Sequence, residues 1–477
     1  MNKHIDGLGV RVCLLFVLAA LLTGAQAPNP GATAEQRAQA WLAAFNSGDR
    51  TTLLEYLKAN DPTRTEHIDD EMRFRQMTGG FDLEKVEEST PTHFVALLKE
   101  KGSDQFGRLT LNVEDEAPNK VTKFELWAIP RPAEFAIPRL SQPEAMEALK
   151  KDLEHDSAPD RFSGAALVGK DGKVVFEQAY GMADREKKIP NTVNTKFRIG
   201  SMNKMFTAVS ILQLVQAGKI QLTDPLGKYL PDYANKNVAT KVTIHELLTH
   251  TGGTGDFFGP EFDAHREELK TLQDYVKLYE KRDLKFDPGS KWEYSNYGFL
   301  LLGVVIEKVS GQSYYDYVQE HVFKPAGMES TGSLPENQTV ADRSVGYMEP
   351  KPGTWEPNTN TLPYRGTSAG GGYSTVGDLF RFATALTEHK LLDAKHTDLL
   401  ISGKVDTGRG GDKYAYGFFD STENGMKCFG HGGGAPGMNG DLKICPEAGY
   451  VIAVLANLDP PAAQRVSDFV AARLPLK

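Results

Sequence analysis

Nothing in this chain gathers positive charge: 63 Asp and Glu face 54 Lys and Arg, the formal net charge is -9, and no basic cluster interrupts the sequence. Such a chain is a poor nucleic-acid binder. Long apolar runs are equally scarce. Apart from residues 12–22 there is none, and with 40% hydrophobic residues the remainder of the 477 is expected to be soluble, with ample core and no stable membrane span. Internal repeats and low-complexity tracts are absent. Cysteine occurs three times, at positions 13, 428 and 445.

The single apolar run has a specific context. Lys3, His4 and Arg11 precede or adjoin it and Ala25-Gln26-Ala27 follows, so residues 1–27 read as a signal peptide and the protein as exported, periplasmic or secreted. The run is too short to span a bilayer comfortably. Cys13 lies inside it rather than at a cleavage junction, which argues against a lipid anchor. The other two cysteines sit at equal offsets from Pro436-Gly437, which places them opposite each other if a hairpin turns there. A disulfide and a pair of facing thiols both fit.

Roughly 450 residues beyond position 27 exceed one ordinary domain. The boundary falls where Pro130, Pro132 and Pro138 punctuate an extended stretch, giving a small domain over 33–128, a linker over 129–145 and a second domain over 146–477. In the first, residues 34–57 read as two amphipathic helices broken at Asn46-Ser47-Gly48-Asp49. Strand-like runs follow at 93–98, 107–113 and 121–129. In the second, Asp171-Gly172 predicts a hairpin between strands at 164–169 and 174–180, and further strands come only at the end, near 427–430, 440–445 and 451–456. The expected fold class is therefore α+β: an antiparallel sheet built from both ends of the second domain plus a helical lobe, preceded by a small α+β domain. Residues 350–363, rich in Pro and Asn, are expected to form an irregular loop over the cleft.

Chemistry enters at Ser201-Met202-Asn203-Lys204. The following residues are almost all apolar up to Val215, predicting a buried helix whose first turn carries the polar work. Positions i and i+3 share a face, so the Lys204 amine can reach the Ser201 hydroxyl and, if desolvated, serve as its base. One S-x-x-K is what chance alone would place in such a chain, so context decides.

That context is a Y-x-N, Tyr294-Ser295-Asn296, behind Asp287-Pro288-Gly289, and an H-x-G, His431-Gly432-Gly433. In this order, and with Leu222-Thr223-Asp224-Pro225, Glu246-Leu247-Leu248-Thr249-His250-Thr251-Gly252-Gly253 and Ser368-Ala369-Gly370-Gly371-Gly372, the chain from about 160 to 475 resembles the serine hydrolases of the class C β-lactamase and penicillin-binding-protein superfamily. The first domain faintly resembles the NTF2-like cones. The superfamily resemblance implies Ser201 as nucleophile, Lys204 and Tyr294 as a hydrogen-bonded proton-transfer pair, and Asn296 against the lysine or a substrate carbonyl. It also implies an oxyanion hole from the N–H groups of Ser201 and Gly434, with Gly433 and its neighbours letting substrate approach the strand closely. No cofactor and no metal are implied. The implied partner is a small ester, peptide or β-lactam-like substrate.

One departure bears on substrate. Many members carry K-T-G where this chain has His431-Gly432-Gly433. A histidine of ordinary pKa is mostly neutral at pH 7 and gains a proton below about pH 6, so His431 is expected at the cleft edge as a weak, pH-dependent anion contact. An ester or D-amino-acid-containing peptide is therefore the expected substrate. A β-lactamase or D-alanyl-D-alanine carboxypeptidase remains the alternative, and a non-catalytic penicillin-binding-like scaffold is the alternative of another class.

Four further patterns are set aside. Gly366-Thr367-Ser368-Ala369-Gly370 matches a G-x-S-x-G elbow but lacks a preceding apolar strand. His245 and His250 are five apart, so they cannot share a helical face as zinc ligands. Gly370–Gly372 is not followed by G-K-[ST], and Tyr233-Ala234-Asn235, a second Y-x-N, is expected in a surface turn.

Overall fold

A computed structural model describes residues 32–476 apart from 159, 352, 409 and 410. The expected signal peptide lies outside the described residues. Helices α1 (Ala34–Asn46) and α2 (Arg50–Asn60) break where expected: Gly48 takes a positive φ of 69° and Asp49 caps the second helix by accepting from Thr52 N. Helix α3 (Ile68–Thr78) follows, then an antiparallel meander of β1 (Phe81–Ser89), β2 (His93–Glu100), β3 (Phe106–Val113) and β4 (Val121–Ile129). These strands and helices close over their own core around Trp41, Phe45, Phe81 and Leu98. Ser141 and Glu144 form a capping box that starts α4 (Gln142–Ser157), so residues 142–145 are helical.

The larger sheet joins the two ends of the remaining chain. β5 (Gly164–Lys170) and β6 (Lys173–Tyr180) form the expected hairpin, with Asp171 and Gly172 both at positive φ, 49° and 76°. Late in the chain come β7 (Val405–Asp406), β8 (Lys413–Tyr414), β9 (Phe419–Glu423), β10 (Met426–Ala435), β11 (Met438–Cys445) and β12 (Tyr450–Ala456). The order is β7-β8-β9-β10-β11-β12-β5-β6, antiparallel throughout. Alternate residues serve two cores. Ala166, Val168, Ile452 and Val454 pack under α4 and the C-terminal helix Ala462–Arg473, whereas Ala165, Leu167, Ala453 and Leu455 face the helical lobe. Within that lobe α5 (Asn203–Gln216) and α6 (Asn296–Ser310) pack side by side.

Three expectations need correction. Residues 350–363 are not irregular: Tyr347–Lys351 and Thr354–Pro357 pair as a short hairpin and Asn358–Thr361 is a 3-10 turn, since Gly353 at φ 75° lets the chain reverse. Residues 360–363 do border the cleft. Tyr233 is buried rather than on a surface turn, with its hydroxyl 3.0 Å from that of Tyr297, and Asn235 caps the helix Lys236–Lys241. The strand carrying His431 is much longer than 427–430, because the glycines that obscure its sequence pattern are held by β11.

Candidate active site

Ser201 lies in a 3-10 turn, Gly200–Met202, that feeds directly into α5. Glycines make this turn possible. Gly200 has a φ of 52°, Gly371 N donates to Gly200 O at 3.0 Å, and Ile199 N donates to Gly372 O at 3.3 Å. On the other side β10 presses in so closely that a Cβ on Gly433 would lie 1.9 Å from Ile199 O, and one on Gly200 would lie 3.2 Å from Gly434 N. Only glycine fits there. Because β9 begins at Phe419, opposite Gly430, residues 431–435 have no strand partner on that edge, beside the serine, among the described residues.

One turn into α5, Lys204 is fully buried and its Nζ lies 3.2 Å from Ser201 Oγ. Its other two hydrogen bonds go to Asn296 Oδ1 at 2.7 Å and to Ala369 O. Burial pushes its pKa down to about 7, against a smaller upward pull from Asp256. The lysine also faces the ring of Tyr294, with Nζ 4.6 Å from its centroid. The G-x-S-x-G look-alike is thereby explained: its Ala369 carbonyl holds the lysine, and Ser368 is buried.

Asn296 is held in turn by Asp256, whose Oδ2 accepts from Nδ2 at 2.8 Å. A carboxylate only accepts, so the amide must turn its NH2 to Asp256 and its oxygen to Lys204. Asp256 carries no motif, and sequence reasoning missed it. His250 was quoted only as part of the resemblance and set aside as a zinc ligand, yet it belongs to the same assembly. Its Nδ1 accepts from Ser295 N at 3.1 Å and its ring lies 4.4 Å from that of Tyr294. It is buried, and desolvation together with Lys204 keeps it neutral. His245, the other half of that pattern, bonds the Tyr416 hydroxyl at 2.8 Å. Among the described residues no group of three or more His, Cys, Asp or Glu is placed to hold a metal.

His431 corrects the expectation made of it. The residue is 4% exposed, with Nδ1 against Gly432 O and Nε2 3.2 Å from the Tyr414 hydroxyl. A carbonyl can only accept, so Nδ1 carries the proton and Nε2 accepts from Tyr414. Desolvation and nearby Lys204 push its pKa down to about 3. The residue borders the cleft but stays neutral at every working pH and has both nitrogens engaged within the protein.

Two cavities meet at Ser201 and Tyr294. One, of about 480 Å³, runs along β10 past His431 and Gly432 to Asp441 and Lys443, and the other, of about 580 Å³, opens toward Phe257, Phe258, Phe262 and Tyr275. The arrangement is that of a nucleophile with a desolvated amine in reach, next to an open strand edge. A family model described as Beta-lactamase matches residues 149–477. The chain belongs to the beta-lactamase family. PbpX of Bacillus subtilis (strain 168) is 31% identical over 296 residues, 62% of this chain and 70% of that protein. Among solved structures, a penicillin binding protein from Bacillus halodurans is similar with a TM-score of 0.61 at 33% identity, covering 69% of this chain and 97% of that one. A D-stereospecific amidohydrolase from Streptomyces sp. matches with a TM-score of 0.58 at 27% identity, over 68% of this chain and 97% of that one. This beta-lactamase family chain also carries a Cys428–Cys445 disulfide, which ties β10 to β11 behind the H-x-G.

Proposed function

We propose that the protein is an exported serine hydrolase that acts through an acyl-enzyme on an ester or a D-amino-acid-containing peptide. The observation that carries this reading is Ser201 Oγ at 3.2 Å from a buried Lys204 whose pKa is near 7. Ser201 Oγ adds to the substrate carbonyl carbon while its proton passes to Lys204 Nζ. Backbone N–H groups of Ser201 and Gly434 receive the tetrahedral oxyanion, and the Lys204 and Tyr294 pair returns the proton to the departing group. Water then enters by the same route and releases the acid.

The neutral His431 weighs against a substrate held by its carboxylate, and likeness to a D-stereospecific amidohydrolase supports D-configured amides and peptides. The disulfide supports export, because such bonds persist in oxidising compartments. Residues 33–128 we assign to packing and orientation. Glu100 and Asp104 there pair with Arg465 and Arg473 of the C-terminal helix.

A kinetic panel of short acyl esters, D-Ala-D-Ala peptides and nitrocefin tests the reading. Turnover of the acyl esters above the carboxylate-bearing D-Ala-D-Ala peptides, with nitrocefin as the poorest substrate, is expected. Preference for nitrocefin would overturn the substrate assignment.

A further inference from the structure

Phe258 stands out among the large apolar side chains because it is 56% exposed, one residue from buried Phe257 and beside the nucleophile. Its ring lies 4.5 Å from that of Phe257 and 5.1 Å from that of Phe262. Phe257 in turn meets Tyr275 edge-on at 5.1 Å. With Leu362 and Met438 these rings line the cavity of about 580 Å³ that reaches Ser201, Tyr294 and Asn296. An exposed phenyl next to a reactive serine is costly in water unless an apolar partner covers it.

Two further observations make this wall a built one. Asp256 Oδ1 accepts from the backbone N–H groups of both Phe257 (2.7 Å) and Phe258 (3.1 Å), while its Oδ2 holds Asn296. The carboxylate that orients the catalytic amide thus also fixes the turn that presents the rings. The hydroxyl of Tyr275, in the same lining, is buried and has no hydrogen-bond partner among the described residues. A buried unpartnered hydroxyl is unfavourable, and a ligand atom reaching it would relieve that cost.

We propose that this cavity is a selectivity subsite for an aryl group of the substrate attached next to the scissile bond, with a polar substituent at its far end meeting the Tyr275 hydroxyl. The inference rests on the serine-hydrolase reading above and adds the substrate class to it. Phe257, Phe258 and Phe262 supply offset and edge-on ring contacts, and Tyr275 supplies the single polar contact that distinguishes a phenol-like ring from a plain one.

The test is a pair of ester series followed by pH-stat on the full chain. In the acyl series these are methyl acetate, methyl phenylacetate and methyl 4-hydroxyphenylacetate; in the alcohol series, methyl, benzyl and 4-hydroxybenzyl acetate. In one series the aryl ester is expected to exceed its methyl counterpart in kcat/KM by about tenfold or more, and the hydroxyl to add about threefold more. The responding series assigns the side of the scissile bond. Within each variant, Phe258→Ala should collapse the aryl-to-methyl ratio and Tyr275→Phe the hydroxyaryl-to-aryl ratio, ratios that do not depend on the fraction of folded protein. Flat ratios in both series, with Ser201 still labelled by a fluorophosphonate, would overturn the subsite and leave the hydrolase reading standing. No labelling and no turnover of any ester would overturn both.

Discussion

Asp256 and Lys204 are joined through one amide: Asn296 donates to Asp256 Oδ2 at 2.8 Å and accepts from Lys204 Nζ at 2.7 Å. An acidic side chain with no direct contact to the lysine thereby fixes what the lysine faces and raises its pKa against the downward push of burial.

Removing that carboxylate has a signed consequence. In Asp256→Ala the upward pull on Lys204 is lost, so the acid limb of kcat/KM moves to lower pH. The plateau falls by about tenfold, because Asn296 is free to rotate. Asn296→Asp sets a carboxylate against Nζ and moves the limb to higher pH. A pH–rate series on the two variants, read against wild type, checks both directions.

The wild-type profile follows from the lysine itself. Lys204 must be neutral to accept the Ser201 proton, and its pKa is about 7. The kcat/KM is expected to rise about tenfold per pH unit below that value and to level above it. Lys204→Ala should lose several orders of magnitude and, with its base gone, the limb near 7.

His431 should not titrate where an ordinary histidine does. Its folded pKa of about 3 lies below the unfolded value of about 6.5, so in between only the unfolded chain takes the proton. The stability contribution is complete above about 6.5 and is lost as pH falls through that window. Ring resonances of His431 should stay fixed from pH 5.5 to 8.5, and His431→Gln should lose less Tm than wild type between pH 7.5 and 5.0.

The disulfide closes a sequence separation of 17 residues around the β10–β11 hairpin. A loop of that size is worth about 3 kcal/mol in the chain-entropy model. The double variant Cys428→Ser, Cys445→Ser should therefore show a lowered urea midpoint, and oxidised, denatured protein lacking residues 1–27 should present no free thiol.

Much of this was readable before any fold was known. The S-x-x-K, Y-x-N and H-x-G residues meet in one cleft because each sits where a helix start or a strand edge must be. The equal offsets of Cys428 and Cys445 anticipated their facing positions. What was hidden depended on tertiary contact. Asp256 acts from a loop bounded by Gly255 at φ 71°, with nothing in its spacing to tie it to Asn296 forty residues later. His250 was judged by helical period, whereas it has left the helix, at φ 60°, to sit beneath Tyr294. The titration of His431 was misjudged because burial, which sets its pKa, is not a property of its neighbours in sequence. β1 escaped notice because it exposes nearly every side chain, leaving no alternation to find.

The most direct measurement is intact-mass and peptide-level mass spectrometry after exposure to a fluorophosphonate, on wild type and Ser201→Ala. One adduct on the wild-type peptide containing Ser201, formed faster as pH rises through 7, and none on the variant is the predicted result. Equal labelling of Ser201→Ala, or no adduct on folded wild type, would contradict Ser201 as the Lys204-activated nucleophile.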